Sequence, residues 1–566
     1  VDLTIGKIFT NENGEDSAFG RVESHGSLTV QGKGSVHNKG SIASQGDADI
    51  RTDLDNEGIL RSAHDVVFSA SDKALTNTGE ILADETVRIA TERPLENTGL
   101  VQGQETSLAA LGTFHNAGEI LATNGQALLT LGEGLNKGRV IGSEGVDITV
   151  VKTLTNQGHV LSPGSTVFHG TGSLENSESG VLMGDKSLDI SNLALENKGL
   201  FGSARDLALH HLQGPLQNTA SIISQGSIRI AETASVHNSG HIQGTTHTAV
   251  VVKELDNKGE ISSLEGSVDL IVQKGANREG SVIVARTNLA VNAQTAFVNN
   301  GVMSGEASTT LNGERFTNHN LLQSRGALKV DLQSLTNHKE ILAKEADFSL
   351  HTLENARDIF IGDDLRLHQG VNAGAIQDQT LTLDVRAPVS STDQFHNKKT
   401  LYASSHLALQ GKGMVSNESD ILSEGTLEVH SKALINGEKG QLQATRGINI
   451  SSTTHVENAF GAKILSQSTI EVGREASVTN QGLISGKSLV FQQPSYTVSG
   501  RLEAKGDITF PHIQTLHTSK GSSLYTEEGQ IVLPQVQVVD HAGSLLSQKS
   551  ISLPNLLSFK NNGSFQ

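Results

Sequence analysis

An asparagine returns about every 20 residues along most of this chain, and few folds accommodate such a period. The phrase around it reads Leu75-Thr-Asn77-Thr-Gly79, Leu95-Glu-Asn97-Thr-Gly99, Phe114-His-Asn116-Ala-Gly118 and Leu154-Thr-Asn156-Gln-Gly158, with Asn136-Lys-Gly138 in the remaining slot. Successive asparagines are 20, 19, 20 and 20 positions apart. A fixed repeat of this length is the signature of a solenoid.

After each asparagine the residues alternate, as in Ile81 and Ala83 and then Val87 and Ile89, and period two means strand. Apolar residues do not recur at helical spacing over any long window. A repeat with two or three short strands cannot bury its apolar face alone, so it must stack on its neighbours. If each strand lies parallel to its counterpart one repeat later, at roughly 4.8 Å, the result is a right-handed parallel β-helix. The sequence therefore predicts an all-β solenoid of about 20 residues per coil and 26 or 27 coils, roughly 125 to 130 Å long at that spacing.

In this arrangement the apolar residue two before the asparagine and the Ile or Val four after it point inward. The asparagine amides can hydrogen-bond in a ladder along the axis, which makes Asn77, Asn97, Asn116, Asn136 and Asn156 the expected corner column. Gly79, Gly99, Gly118, Gly138 and Gly158 are expected to supply the positive φ of a sharp corner.

The register holds for 23 corners from Asn38 to Asn480, with an apolar residue two positions earlier in all but three, where Gly134, Gly275 and Gly370 stand. The glycine two positions later is present at all seven corners from Asn38 to Asn156, but at only two of the nine from Asn318 to Asn480, as Gly374 and Gly482. Lys339, Arg357 and Lys399 in its place predict strain and a different corner.

Four stretches are expected: an irregular lead-in over 1–37, regular repeats over 38–300, degenerate repeats with outward insertions over 301–490, and divergent proline-containing coils or a new module over 491–566. Phe9-Thr-Asn11 resembles a corner, but Asn38 follows 27 residues on. Insertions follow Asn176 and Asn458, and the Asn372 to Asn397 interval contains Pro388. Pro494, Pro511, Pro534 and Pro554 are half of the chain's eight prolines and belong at corners or edges. A first residue Val1 and an Asn561-Asn-Gly563 corner near the last read as a segment of something longer.

Composition agrees with a thin core of small and branched aliphatics: 59 Gly, 3% aromatic residues and no Trp or Cys in 566 residues, which leaves no room for large rings. A net charge of −18 opposes nucleic acid and anionic membranes, both of which call for clustered Lys and Arg. No apolar run is long enough to span a bilayer.

Chemistry is sparse. Gly482-Leu-Ile-Ser-Gly486-Lys487-Ser488 has three residues between its glycines where a phosphate-binding loop needs four, and Gly132-x-Gly134 and Gly411-x-Gly413 precede no predicted helix. The Gly-Gly-x-Gly-x-Asp calcium repeat is absent, and Asp47-x-Asp49 and Asp363-Asp364 stand alone. Several of the 22 His flank corners, namely His37, His115, His237, His319, His338 and His396. No coil concentrates the carboxylates or bases of a polysaccharide-active enzyme. The reading is a non-catalytic chain without cofactor or metal.

The corner phrase, as in Leu255-Asp-Asn257-Lys-Gly259-Glu-Ile261-Ser-Ser263, resembles the filamentous haemagglutinin repeats of large two-partner-secreted exoproteins of Gram-negative bacteria. These include adhesins and contact-dependent growth-inhibition toxins. The resemblance covers Asn38 to Asn480 well and the flanks poorly; the Asn-Pro-Asn-Gly secretion signature, a cysteine pair and a toxin domain are missing. It implies a shaft exported through an outer-membrane transporter to the cell surface, holding a receptor-binding or toxic segment toward a target cell. Alternatives are an adhesin binding a host glycan or protein through its own loops, and a β-helical polysaccharide-active enzyme.

Overall fold

A computed structural model of the protein describes the backbone of residues 1–12, 20–69, 72–355, 359–368, 370–372, 376–385, 394–398, 400–411, 413–452, 454–475 and 477–566. Side chains are described for these except 351–355, 360–368, 370–372, 376–385, 394, 404 and 410–411. Arg357, Gly374, Pro388 and Lys399 lie outside the described residues, as do the side chains of Asn355 and Asn372. The chain divides into two compact units, Val1–Thr287 and Asn288–Gln566, each a parallel β-solenoid. No helix occurs among the described residues, and every described strand pairing is parallel.

In the first unit one coil has three strands, such as Leu75–Asn77, Glu80–Ala83 and Thr86–Thr91. The next coil repeats them in register: Leu95 pairs with Leu75, Asn97 with Asn77, Val101 with Ile81 and Leu108 with Ile89. Burial alternates along each strand, so that Leu75, Ile81, Val87 and Ile89 are buried while Glu80 and Arg88 face solvent. Each such aliphatic contributes roughly 1.5–3 kcal/mol on burial. The third strand commonly runs on into the following corner strand, as in Glu105–Asn116 and Gly145–Asn156, and the bend is taken by a register shift between Ala110 and Thr113.

Asn11 is a true corner, paired with Asn38 across a long first coil. Lengthened coils of this kind use up chain, and the two units together make about 25 turns, slightly fewer than expected.

In the second unit the strands Leu321–Asn337 and Ile341–Asn355 absorb corners that are separate elsewhere, whereas Met414–Asn417, Asp420–Ser423 and Thr426–His430 return to the short pattern. Parallel pairing continues to the last strands, where Val539 pairs with Phe559 and Leu545 with Phe565. Pro511, Pro534 and Pro554 sit in turns, each with one residue between it and the end of a strand, where no ladder N–H is lost.

The core does admit rings, contrary to the composition argument. Phe68, Phe168, Phe201, Phe297, Phe316, Phe491, Tyr496 and Phe510 are fully buried. They fit because a ring can lie flat across the axis: Phe297 and Phe316 stack with centroids 5.7 Å apart and planes 4° from parallel.

Candidate functional site

The asparagines form a buried hydrogen-bonded column. In the first unit the Nδ2 of each donates to the Oδ1 of the next: Asn77 to Asn97 at 2.7 Å, Asn97 to Asn116, Asn116 to Asn136 and Asn136 to Asn156 at 2.8 Å. The column begins with Asn11 donating to Asn38 and runs through Asn257 donating to Asn277. The amide's second hydrogen goes to the backbone, as when Asn97 reaches the carbonyl of Gly99 or Glu119. The asparagine main-chain carbonyl accepts in turn: that of Asn56 takes the N–H groups of Thr78 and Gly79 at 2.8 and 3.0 Å. A buried amide with all its groups engaged avoids the desolvation penalty that would otherwise exclude it from a core.

The corner glycines have a different reason from the expected one. Gly79, Gly99, Gly118, Gly138 and Gly158 do not occupy the left-handed region. A Cβ on Gly99 would stand 1.9 Å from the carbonyl oxygen of Gly79, and one on Gly79 would stand 2.0 Å from that of Gly58. Close backbone approach, not φ, selects glycine. Lys339 likewise carries no positive φ and hence no such strain. Where glycine is missing the corner loosens instead, and only His338 N–H reaches the Asn318 carbonyl.

Left-handed glycines occur in inserted turns, at Gly280, Gly461 and Gly521 with φ of 78°, 85° and 85°. These turns follow Asn277, Asn458 and Thr518. A glycine three residues past the corner residue is the sequence signal, and of the three turns only the one after Asn458 coincides with an insertion expected from the spacing.

The second unit carries the column from Asn299 through Asn318 to Asn337, and again from Asn397 to Asn480. Asn480 then faces Val498, whose register partner is Thr518, followed by His541. Sequence reasoning missed this continuation because the phrase is lost. Thr518 Oγ1 accepts the N–H groups of Ala542 and Gly543, so its hydroxyl donates to His541 Nδ1 at 2.6 Å. His541 Nε2–H then donates to the Ser564 carbonyl at 2.8 Å, so the buried imidazole is engaged at both ring nitrogens.

No convergent chemistry appears. Among the described residues no three His, Asp or Glu side chains meet as a metal site would require, and no helix long and apolar enough to cross a membrane is present. Asp49 is paired with Arg51 at 2.8 Å, and the Asp363 and Asp364 side chains lie outside the described residues. Gly132 and Gly134 lie within the strand Gln126–Asn136. The Gly482 to Ser488 stretch falls on the strands Leu483–Gly486 and Ser488–Phe491, so no helix follows to receive a phosphate. A cleft of about 610 Å³ there is lined by Lys487, Lys505, Glu503, Glu527, Glu528 and Tyr525, its charges mixed rather than focused. Most surface His pair with a carboxylate on a neighbouring coil, as do His169 with Asp147 and His210 with Asp189, both at 2.9 Å.

Coils that present only one another's edges define a structural β-solenoid. The haemagglutinin repeat family model matches residues 1–79, 171–259, 263–338 and 365–524, more than half of the chain. The chain belongs to the haemagglutinin repeat family, the repeat region of large two-partner-secreted exoproteins. It is similar to the tRNA nuclease CdiA of Yersinia mollaretii, with 24% identity over 383 residues, covering 62% of this chain and 12% of that protein. The chain thus spans about an eighth of that relative's length. No solved structure matches it.

Proposed function

We propose that this segment is the shaft of a secreted, cell-surface exoprotein of a Gram-negative bacterium, exported through an outer-membrane transporter, and that it projects a receptor-binding or toxic segment toward a target cell. The observation that carries this reading is the asparagine column, a polar contact whose partners all belong to the solenoid itself. The relative named as a tRNA nuclease supports it, since a nuclease at one end of a long exoprotein needs a carrier. The stepwise solenoid suits a chain that emerges from a pore and folds one coil at a time.

A second reading, an adhesin binding through its own loops, is favoured by Phe460, which stands 75% exposed on the inserted turn after Asn458.

Electron microscopy of the 566-residue chain should show thin rods, and the chain alone should leave target cells unbound. Compact particles would refute the shaft. Cell binding that is lost in Phe460→Ser would establish the adhesin in its place.

A further inference from the structure

We propose that His319 and His338 form a two-histidine site for an exchangeable divalent transition-metal ion. The two occupy the same place on successive coils, each directly after a column asparagine. Their rings stack with centroids 4.5 Å apart and planes 3° from parallel.

The backbone beneath them is fixed from both sides. His319 N–H donates to the Asn299 carbonyl and His338 N–H to the Asn318 carbonyl, each at 2.7 Å. The Asn318 amide is bonded to Asn337 at 2.8 Å. Two imidazoles held at one strand spacing therefore share a rotamer and present the same ring edge.

Many other surface imidazoles are occupied, as His64 is with Glu85, His210 with Asp189 and His241 with Glu260, and the unoccupied His25 and His159 have no second ring beside them among the described residues. The rings of His319 and His338 have no hydrogen-bond or ion-pair partner among the described residues, and both are exposed. Burial, and secondarily the charge of His338, lower the pKa of His319, which keeps it in the neutral form that binds metal.

Two metal–nitrogen bonds of about 2.0–2.1 Å meeting at a cis or tetrahedral angle put the nitrogens about 2.9–3.4 Å apart, and because each lone pair lies in its ring plane, the two exposed rings must rotate out of the parallel stack to converge on one ion. With only two protein ligands the remaining positions belong to water, and the ion exchanges. Imidazole pairs of this kind suit Cu²⁺, Ni²⁺ or Zn²⁺, with Cu²⁺ bound tightest. Exposed Lys339 opposes the added charge and exposed Glu340 favours it.

The test is Cu²⁺ titration of the full chain, followed by electron paramagnetic resonance and by the ¹³C-labelled imidazole signals. The signals of His319 and His338 should broaden together, ahead of the other His. The doubly substituted His319→Gln/His338→Gln chain should lose one equivalent of nitrogen-coordinated copper. Each single substitution should weaken that equivalent by at least about tenfold, the least that losing even a supporting group costs a metal site. Circular dichroism without metal should be unchanged, since both side chains are on the surface. A double variant with the same copper stoichiometry and affinities overturns the proposal, as do signals of the two His that broaden no earlier than the rest.

Discussion

Asn116 Oδ1 accepts from Asn97 and its Nδ2 donates to Asn136, both at 2.8 Å, so one buried amide is donor and acceptor at once. Aspartate is nearly the same shape but has no hydrogen to give. In Asn116→Asp a carboxylate would face Asn136 Oδ1 and the Arg139 carbonyl, both acceptors that Nδ2 now serves. The expected loss of stability is about 3–5 kcal/mol, that of an uncompensated buried charge. Asn116→Ala should cost less, roughly 1–3 kcal/mol for the groups left unpaired. Urea unfolding at neutral pH checks the order, and equal losses would mean that donor and acceptor are not distinguished in the column.

The corner glycines make a sharper prediction than their φ angles would. Gly99→Ala places a methyl group against the Gly79 carbonyl and should cost about 1–3 kcal/mol as an overpacked site. Gly26→Ala is the control, because nothing lies within 4 Å of its added Cβ. A thermal midpoint lowered in the first variant and held in the second is expected. Ala220 shows how a corner copes naturally: only Thr219 N–H reaches the Asn197 carbonyl, so the backbone has given up its second bond.

What the sequence carried, and what it did not, follows from the same contacts. The period was legible because, up to Asn480, the corner position is held by asparagine, whose amide both fits and bonds from coil to coil. The parallel solenoid and the haemagglutinin resemblance follow from it. The role of Gly79 and Gly99 was not legible, since a tight carbonyl approach and a left-handed turn select the same residue. Val498, Thr518 and His541 escaped notice because a threonine–histidine pair satisfies the corner with different atoms. A second phrase was available there: Ile508-Thr-Phe510-Pro511, Ile531-Val-Leu533-Pro534 and Ile551-Ser-Leu553-Pro554 mark the same turn on successive coils. The stacking of His319 on His338 needed the register, which puts residues 19 apart in contact.

The lowered pKa of His319 predicts a pH effect of definite sign in metal-free protein. Its folded value lies below the unfolded 6.5, so the fold favours the neutral ring. The stabilising contribution is complete above pH 6.5, declines as the unfolded chain takes up its proton, and is gone once pH has fallen through the folded value. With chelator present, stability between neutral pH and about pH 5 should fall less steeply in His319→Gln than in the natural chain. The effect is small, because the ring is exposed. A steeper fall in the variant would contradict the assignment.

The stacked rings of Phe297 and Phe316 are one of the buried aromatic contacts of the second unit's core. Both are buried and parallel, with one coil's ring forming the floor for the next. Truncation by Phe297→Ala removes the ring and leaves Phe316 above a void, since the coil backbones are pinned by their own ladders and cannot collapse inward. The expected cost is about 3–5 kcal/mol. Phe297→Leu keeps most of the volume and should cost less than about 1.5 kcal/mol, close to the conservative exchanges that cores tolerate. Because each coil touches only its neighbours, the loss should be local: hydrogen exchange should quicken in strands Asn288–Asn299 and Ser308–Asn318 but not in Ser523–Thr526. Exchange that quickened equally throughout the unit would show that it unfolds as one cooperative body, and the nearest-neighbour picture of the solenoid would have to be abandoned for it.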